Sequence, residues 1–100
     1  MDVAFTLTRL MSEFGELLME RDFEGAEELL WGALGTSSKY EPFIHYQFGR
    51  LYLAWDKLSS ANNHLAKAAE LAVLANDEIL TVQALEELKE ARRRQVDQRP

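Results

Sequence analysis

One hundred residues, 47% of them apolar, suffice for one domain with a modest core. The formal charge of −6 argues against general affinity for nucleic acid, which calls for a basic face. With no cysteine there are no disulfides and no thiol chemistry, which fits a reducing, cytoplasmic setting.

The charge is uneven. Residues 1–91 carry 7 basic and 16 acidic side chains, whereas residues 92–100 carry 4 and 1. Met-Asp-Val-Ala-Phe at the start lacks the basic segment of a signal peptide, so none is expected. No apolar run approaches the roughly 18 to 20 residues of a membrane span, so no membrane partner is expected either.

In chain order, Asp2 is placed to cap a first helix to about Glu20, with Val3, Leu7, Leu10, Met11, Phe14, Leu17 and Leu18 on its apolar stripe. Arg21-Asp22 interrupts it, and Asp22 caps a second helix from Phe23 to about Leu34. Gly35 to Lys39 has loop chemistry, with Gly35 as the residue just past the helix end. Pro42 suits the first turn of a third helix. Asp56-Lys57 then makes a turn, with Asp56 as cap of a fourth helix that ends near Ala75. Asn76-Asp77 precedes a fifth helix to about Arg94, with Ile79, Val82 and Leu85 expected to face inward. Arg92, Arg93 and Arg94 sit at its C-terminal end, where positive charge complements the helix dipole.

The third and fourth helices form a hairpin. His45, Phe48, Gly49 and Tyr52 make one stripe, and Leu58, Ala61, Leu65, Ala68 and Ala69 the facing one. Gly49 and Ala61 predict a close crossing, with Leu65 and Tyr52 filling the space beside them. The same pattern occurs earlier in the chain. Met11, Phe14, Gly15 and Leu18 recur 34 residues later as His45, Phe48, Gly49 and Tyr52. Phe23, Ala26, Leu30 and Ala33 recur 35 residues later as Leu58, Ala61, Leu65 and Ala68. That is an internal repeat.

The repeat resembles the tetratricopeptide repeat (TPR), whose signature runs W-x2-L-G-x2-Y, then A-x3-F, a small residue and a proline. Here the second unit has His45-x2-Phe48-Gly49-x2-Tyr52, then Ala61-x3-Leu65-x2-Ala68. His45 replaces a large apolar residue, and the proline closing each repeat is missing. The resemblance implies an all-α, TPR-like right-handed superhelix of antiparallel helix pairs. Its parts are repeat 1 at about 8–40, repeat 2 at about 42–75 and a C-terminal capping helix at about 77–94. They form one domain over 1–95, and 96–100 is a flexible tail.

Candidates for chemistry are few. His45 falls on the buried stripe as a structural residue and His64 is peripheral; neither belongs to an H-x3-H or H-E-x-x-H arrangement. The carboxylates occur as solvated helical faces, and no Gly-rich loop follows a strand. No catalytic, cofactor-binding or metal-ligating residue is assigned, and neither an enzyme nor a cofactor is expected. Trp31, Trp55 and Tyr40 either close the edges of helix pairs or mark a contact surface.

The resemblance implies a non-catalytic protein–protein interaction module that binds a partner protein or peptide through the concave face. That face would be lined by Arg9, Ser12, Glu16, Met19 and Glu20 from the first unit, with Phe43, Tyr46, Arg50, Leu53 and Ala54 from the second. Family members that hold a C-terminal carboxylate use Lys and Asn at positions filled here by Ser12, Glu16, Tyr46 and Arg50, so that ligand is not expected. The alternative is a structural, self-assembling subunit, because two repeats are fewer than the three or so that a stable array needs. Homo-oligomerisation would cover the deficit.

Overall fold

The computed structural model describes residues 3–36 and 38–98, with side chains from residue 7 onward. The Asp2 cap therefore lies outside the described residues. Among these the chain is all-helical: α1 (Val3–Met19), α2 (Phe23–Leu34), α3 (Glu41–Ala54), α4 (Leu58–Leu74) and α5 (Glu78–Asp97). A 3-10 turn, Ser38–Tyr40, leads into α3, and Pro42 occupies its first turn.

Three of the four connections share one geometry. Arg21, Asp56 and Asn76 adopt left-handed backbone, with φ of 58°, 60° and 57°. At each, two amide N–H groups close the preceding helix. Arg21 and Asp22 donate to Leu18 and Leu17, Asp56 and Lys57 to Leu53 and Tyr52, and Asn76 and Asp77 to Val73 and Ala72. This is the Schellman closure, with no glycine at the left-handed position. The residue after it becomes the N-cap. Asp22 accepts from the Gly25 amide at 2.9 Å, and Asp77 from the Leu80 amide at 3.0 Å. At the middle turn the cap position falls on Lys57, not on Asp56 as expected, because Asp56 is used as the left-handed residue. Gly35 has φ −89°, so the end of α2 makes no demand on glycine.

Neighbouring helices pack in chain order. Contact runs along most of α3 and α4 and of α4 and α5, and over shorter stretches between α1 and α2 and between α2 and α3. The result is elongated, 50 × 33 × 18 Å. The main core gathers Phe14 of α1, Phe23, Ala26 and Leu30 of α2, Ile44, Phe48, Leu51 and Tyr52 of α3, and Leu58, Ala61 and Leu65 of α4. The repeat positions pair up inside it: Phe14 with Phe48, Phe23 with Leu58, Ala26 with Ala61 and Leu30 with Leu65 are all buried.

The two hairpins are not equally tight. A Cβ built on Gly49 would overlap the Leu65 side chain, so the α3–α4 crossing has no room for it. Around the equivalent Gly15 a Cβ would meet nothing within 4 Å. The close crossing therefore belongs to the second hairpin alone, and α1 stands off.

On α5 the inward face differs from the expected one. Leu80, Ala84, Leu88 and Ala91 are buried, whereas Ile79, Val82 and Leu85 are exposed at 75%, 55% and 50%. The reason is helical geometry. Residues three apart drift around the helix by about 60° at each step, so Ile79, Val82 and Leu85 do not hold one face. The other four stay within a narrow stripe along the whole length. Ala84 also lets α5 approach Ala68 and Ala69 of α4 closely. At its far end, Arg94 pairs with Asp56 at 2.9 Å, and Gln98 donates to the same carboxylate at 3.1 Å. Residues 96 and 97, expected in the tail, are the last of α5.

Candidate functional site

The standing-off of α1 opens an apolar groove of about 570 Å³ between α1, α2 and the start of α3. Leu7, Leu10 and Leu17 line one wall and Leu29 the other, and Tyr40 and Ile44 close its end. Gly25 and Gly32, one heptad apart on α2, both line it; a Cβ on Gly25 would run into the Asp22 capping carboxylate, so Gly32 is the glycine that leaves room for a ligand's side chain. Gly32 has no heavy atom within 4 Å of a built Cβ.

The surroundings are acidic. Glu28 lines the groove directly. Glu13 on α1 and Glu20 just past its end follow the lining residues Leu10 and Leu17 by three residues, the spacing of neighbours on a helix surface. Residues 7–36 hold seven acidic and two basic side chains, a formal −5. Arg9 meets Glu13 at 3.5 Å, with both side chains at least half exposed.

A second cluster joins α2, α3 and α4 through rings. His45 of α3 and His64 of α4 meet Nδ1 to Nδ1 at 3.1 Å, one donating and the other accepting. His64 stacks on Phe48 at 4.6 Å, and Trp31 of α2 stands 4.8 Å from Phe48 and 6.3 Å from His64. Burial lowers both histidine pKa values below the ordinary 6.5. For His45, Glu41 opposes that shift and Lys67 reinforces it. His45 further lowers His64, while Glu27 raises it. Beside the pair, the Tyr52 hydroxyl donates to Glu27 at 2.6 Å. Burial first, then that bond and the Glu27 charge, push the Tyr52 pKa up. Two neutral imidazoles sharing one proton suit a structural tie and a proton-sensitive one. Among the described residues no group of three His, Cys, Asp or Glu is placed to hold a metal.

The ten residues assigned to a concave face divide by helix. Arg9, Ser12, Glu16 and Met19 of α1 and Glu20 just past its end are all exposed, and none of the five lines the apolar groove. On α3, Arg50 and Ala54 are exposed and Phe43 is half-buried. Tyr46 packs against Ala68, Ala69 and Ala84, so α4 and α5 already partner it. Burial raises its pKa, as do Glu87 and, more weakly, Glu86, while Arg50 lowers it. Leu53 is only 8% exposed and belongs to the core. Its carbonyl accepts from Arg94 at 3.4 Å, beneath the α5 that covers this side of α3.

Two features escaped the sequence reading. The groove was hidden because Leu7, Leu10 and Leu17 have the spacing of a fully covered stripe. The histidine pair had a usable signal: His45 lies ten residues before Trp55 and His64 nine after it, so folding at that turn brings them together.

No helix among the described residues is long and apolar enough to cross a membrane. No family model, characterised protein or solved structure matches the chain.

Proposed function

We propose that this chain is a non-catalytic interaction module, a short TPR-like array that takes a helical segment of a partner protein into the groove between α1 and α2. The groove is the observation that carries this reading: an apolar trough of about 570 Å³ with two glycines and one carboxylate, Glu28, in its lining. Such a trough suits a helix presenting apolar anchors at i, i+3, i+4 and i+7, with Lys or Arg on its flanks to meet Glu13, Glu20 and Glu28. Supporting the TPR-like part are the four repeat-related pairs buried in one core and the shared closure at Arg21 and Asp56.

The test uses a labelled amphipathic peptide with leucine anchors and lysine flanks, compared with the same peptide carrying glutamate flanks. The basic peptide is expected to bind and the acidic one to fail. Gly32→Leu should plug the groove and abolish binding while stability holds or rises, because leucine is the better helix former by roughly 1 kcal/mol. Absence of binding by the basic peptide, or binding untouched by Gly32→Leu, would count against the groove.

A further inference from the structure

The exposed face of α5 lies away from this groove and has a regularity of its own. Its midline runs Ile79, Val82, Glu86, Lys89, Arg93, Val96, with steps of three and four residues alternating throughout. That is the spacing of a coiled-coil a/d seam over about 25 Å of helix, here apolar at Ile79, Val82 and Val96 and charged at Glu86, Lys89 and Arg93. The inward stripe of Leu80, Ala84, Leu88 and Ala91 occupies the opposite side, so no other helix of the chain covers the seam; within it Arg93 is held by Glu90 and Asp97 of its own helix, at 2.6 and 3.0 Å. All six of its residues are exposed, Val96 at 62%.

We propose that this face pairs with the same face of a second copy of the chain, antiparallel about a two-fold axis between Glu86 and Lys89. The proposal goes beyond the groove reading and does not depend on it. Antiparallel coiled coils oppose an a position to a d position, and here that register sets apolar against apolar at the ends and opposite charges at the axis. Ile79 meets Val96 of the second copy, Val82 meets the alkyl stem of Arg93, and Glu86 meets Lys89. Each contact occurs twice by symmetry. Parallel pairing would instead set Glu86 against Glu86, Lys89 against Lys89 and Arg93 against Arg93, so charge selects the antiparallel arrangement.

The ends agree with this choice. Where α4 turns into α5, a hollow of about 420 Å³ is lined by Val73 and Val82 together with Asp77 and Glu78. Antiparallel pairing brings Val96 of the second copy to the apolar part of this hollow, beside Val73 and Val82. Val73 and Leu74, both exposed, extend the contact onto the end of α4. A central Glu–Lys pair fixes register at some cost in stability, and one helix pair buries less than the ~1,600 Å² of a standard interface. The dimer is therefore reversible and concentration-dependent.

Sedimentation equilibrium of the whole chain over a wide concentration range tests this, with circular dichroism to check that each variant remains helical. The wild-type chain is expected to dimerise. Glu86→Lys alone, or Lys89→Glu alone, should weaken the dimer about tenfold or more, since each creates like-charge contacts at the axis. The double variant Glu86→Lys, Lys89→Glu exchanges the charges across the axis and should restore dimerisation, which only the antiparallel register predicts. A chain that stays monomeric at all concentrations overturns the proposal. So does a dimer indifferent to the single exchanges, or one that the double exchange does not rescue. None of these substitutions touches the α1–α2 groove, so peptide binding there is scored separately.

Discussion

The Nδ1 atoms of His45 and His64 stand 3.1 Å apart and tie α3 to α4 through one shared proton. A second proton would set two N–H groups facing each other at that distance, so the pair resists full protonation. Burial acts the same way on each ring, and both folded-state pKa values lie below 6.5.

The sign of the pH dependence follows. Below about pH 6.5 the unfolded chain takes up protons that the folded chain refuses, so stability falls as pH drops through that window and levels off above it. Glu27 and Glu41 moderate the loss by favouring the charged rings, and Lys67 deepens it. Denaturant midpoints should therefore decline from about pH 7 to about pH 5, above the range where carboxylates titrate. Replacing both histidines by glutamine should flatten that slope, even though the loss of ring stacking lowers the midpoint throughout. A wild-type midpoint constant over this range would contradict the argument.

The contact between Gly49 and Leu65 predicts a non-additive cycle. Gly49→Ala drives a methyl group into the Leu65 side chain and should cost roughly 1–3 kcal/mol despite alanine's better helix propensity. Leu65→Ala leaves a cavity at a fully buried site and should cost roughly 2–5 kcal/mol. The double variant should be less destabilised than the sum, because the truncated Leu65 no longer meets the new methyl. Strict additivity in chemical denaturation would mean that the two side chains do not share space.

Much of this was legible in the sequence. Asp22 and Asp77 announce helix starts because a carboxylate before an apolar stripe can accept from a first-turn amide, and both do so, whereas Asp56 is taken up by the left-handed position. Gly49 announces a close crossing because it stands in mid-helix on the stripe that faces Ala61 and Leu65, where a neighbour's side chain fills the space of its missing Cβ. What was not legible depends on how elements meet. Gly15 has the same local context as Gly49, yet α1 stands away from α2, and no residue in α1 encodes that gap. Leu53 has the sequence position of a groove residue but lies beneath α5, whose placement is a long-range matter.

Tyr52 and Glu27 link α3 to α2 by a bond between a phenol and a carboxylate. Tyr52→Phe removes the donor and should cost about 1.5–3 kcal/mol, as for hydrogen bonds to charged groups. Glu27→Gln keeps an acceptor and should cost less. Alkaline difference spectroscopy gives an independent reading: Tyr52 should ionise above the ordinary tyrosine value of 10.0, because burial and Glu27 both oppose a second negative charge there. Loss of the Glu27 charge should bring it down towards that value.

The two faces of α5 predict opposite mutational outcomes from residues of similar size. Leu80 and Leu88 are 7% and 6% exposed, so truncation to alanine removes buried methyl groups and leaves space that α4 cannot close. Each should cost about 2–5 kcal/mol, towards the lower end because neither site is completely enclosed. Ile79 and Val82 lie on the outer face, where alanine forfeits little buried surface and raises helix propensity by a few tenths of a kcal/mol. Ile79→Ala and Val82→Ala should therefore leave the unfolding midpoint of the dilute chain unchanged or slightly raised. Low concentration matters, since the outer face is also the one expected to associate, and association adds stability by mass action. At high concentration the outer substitutions should lower the midpoint while leaving the dilute value alone. Equal losses from both faces in dilute solution would mean that α5 is turned differently about its axis.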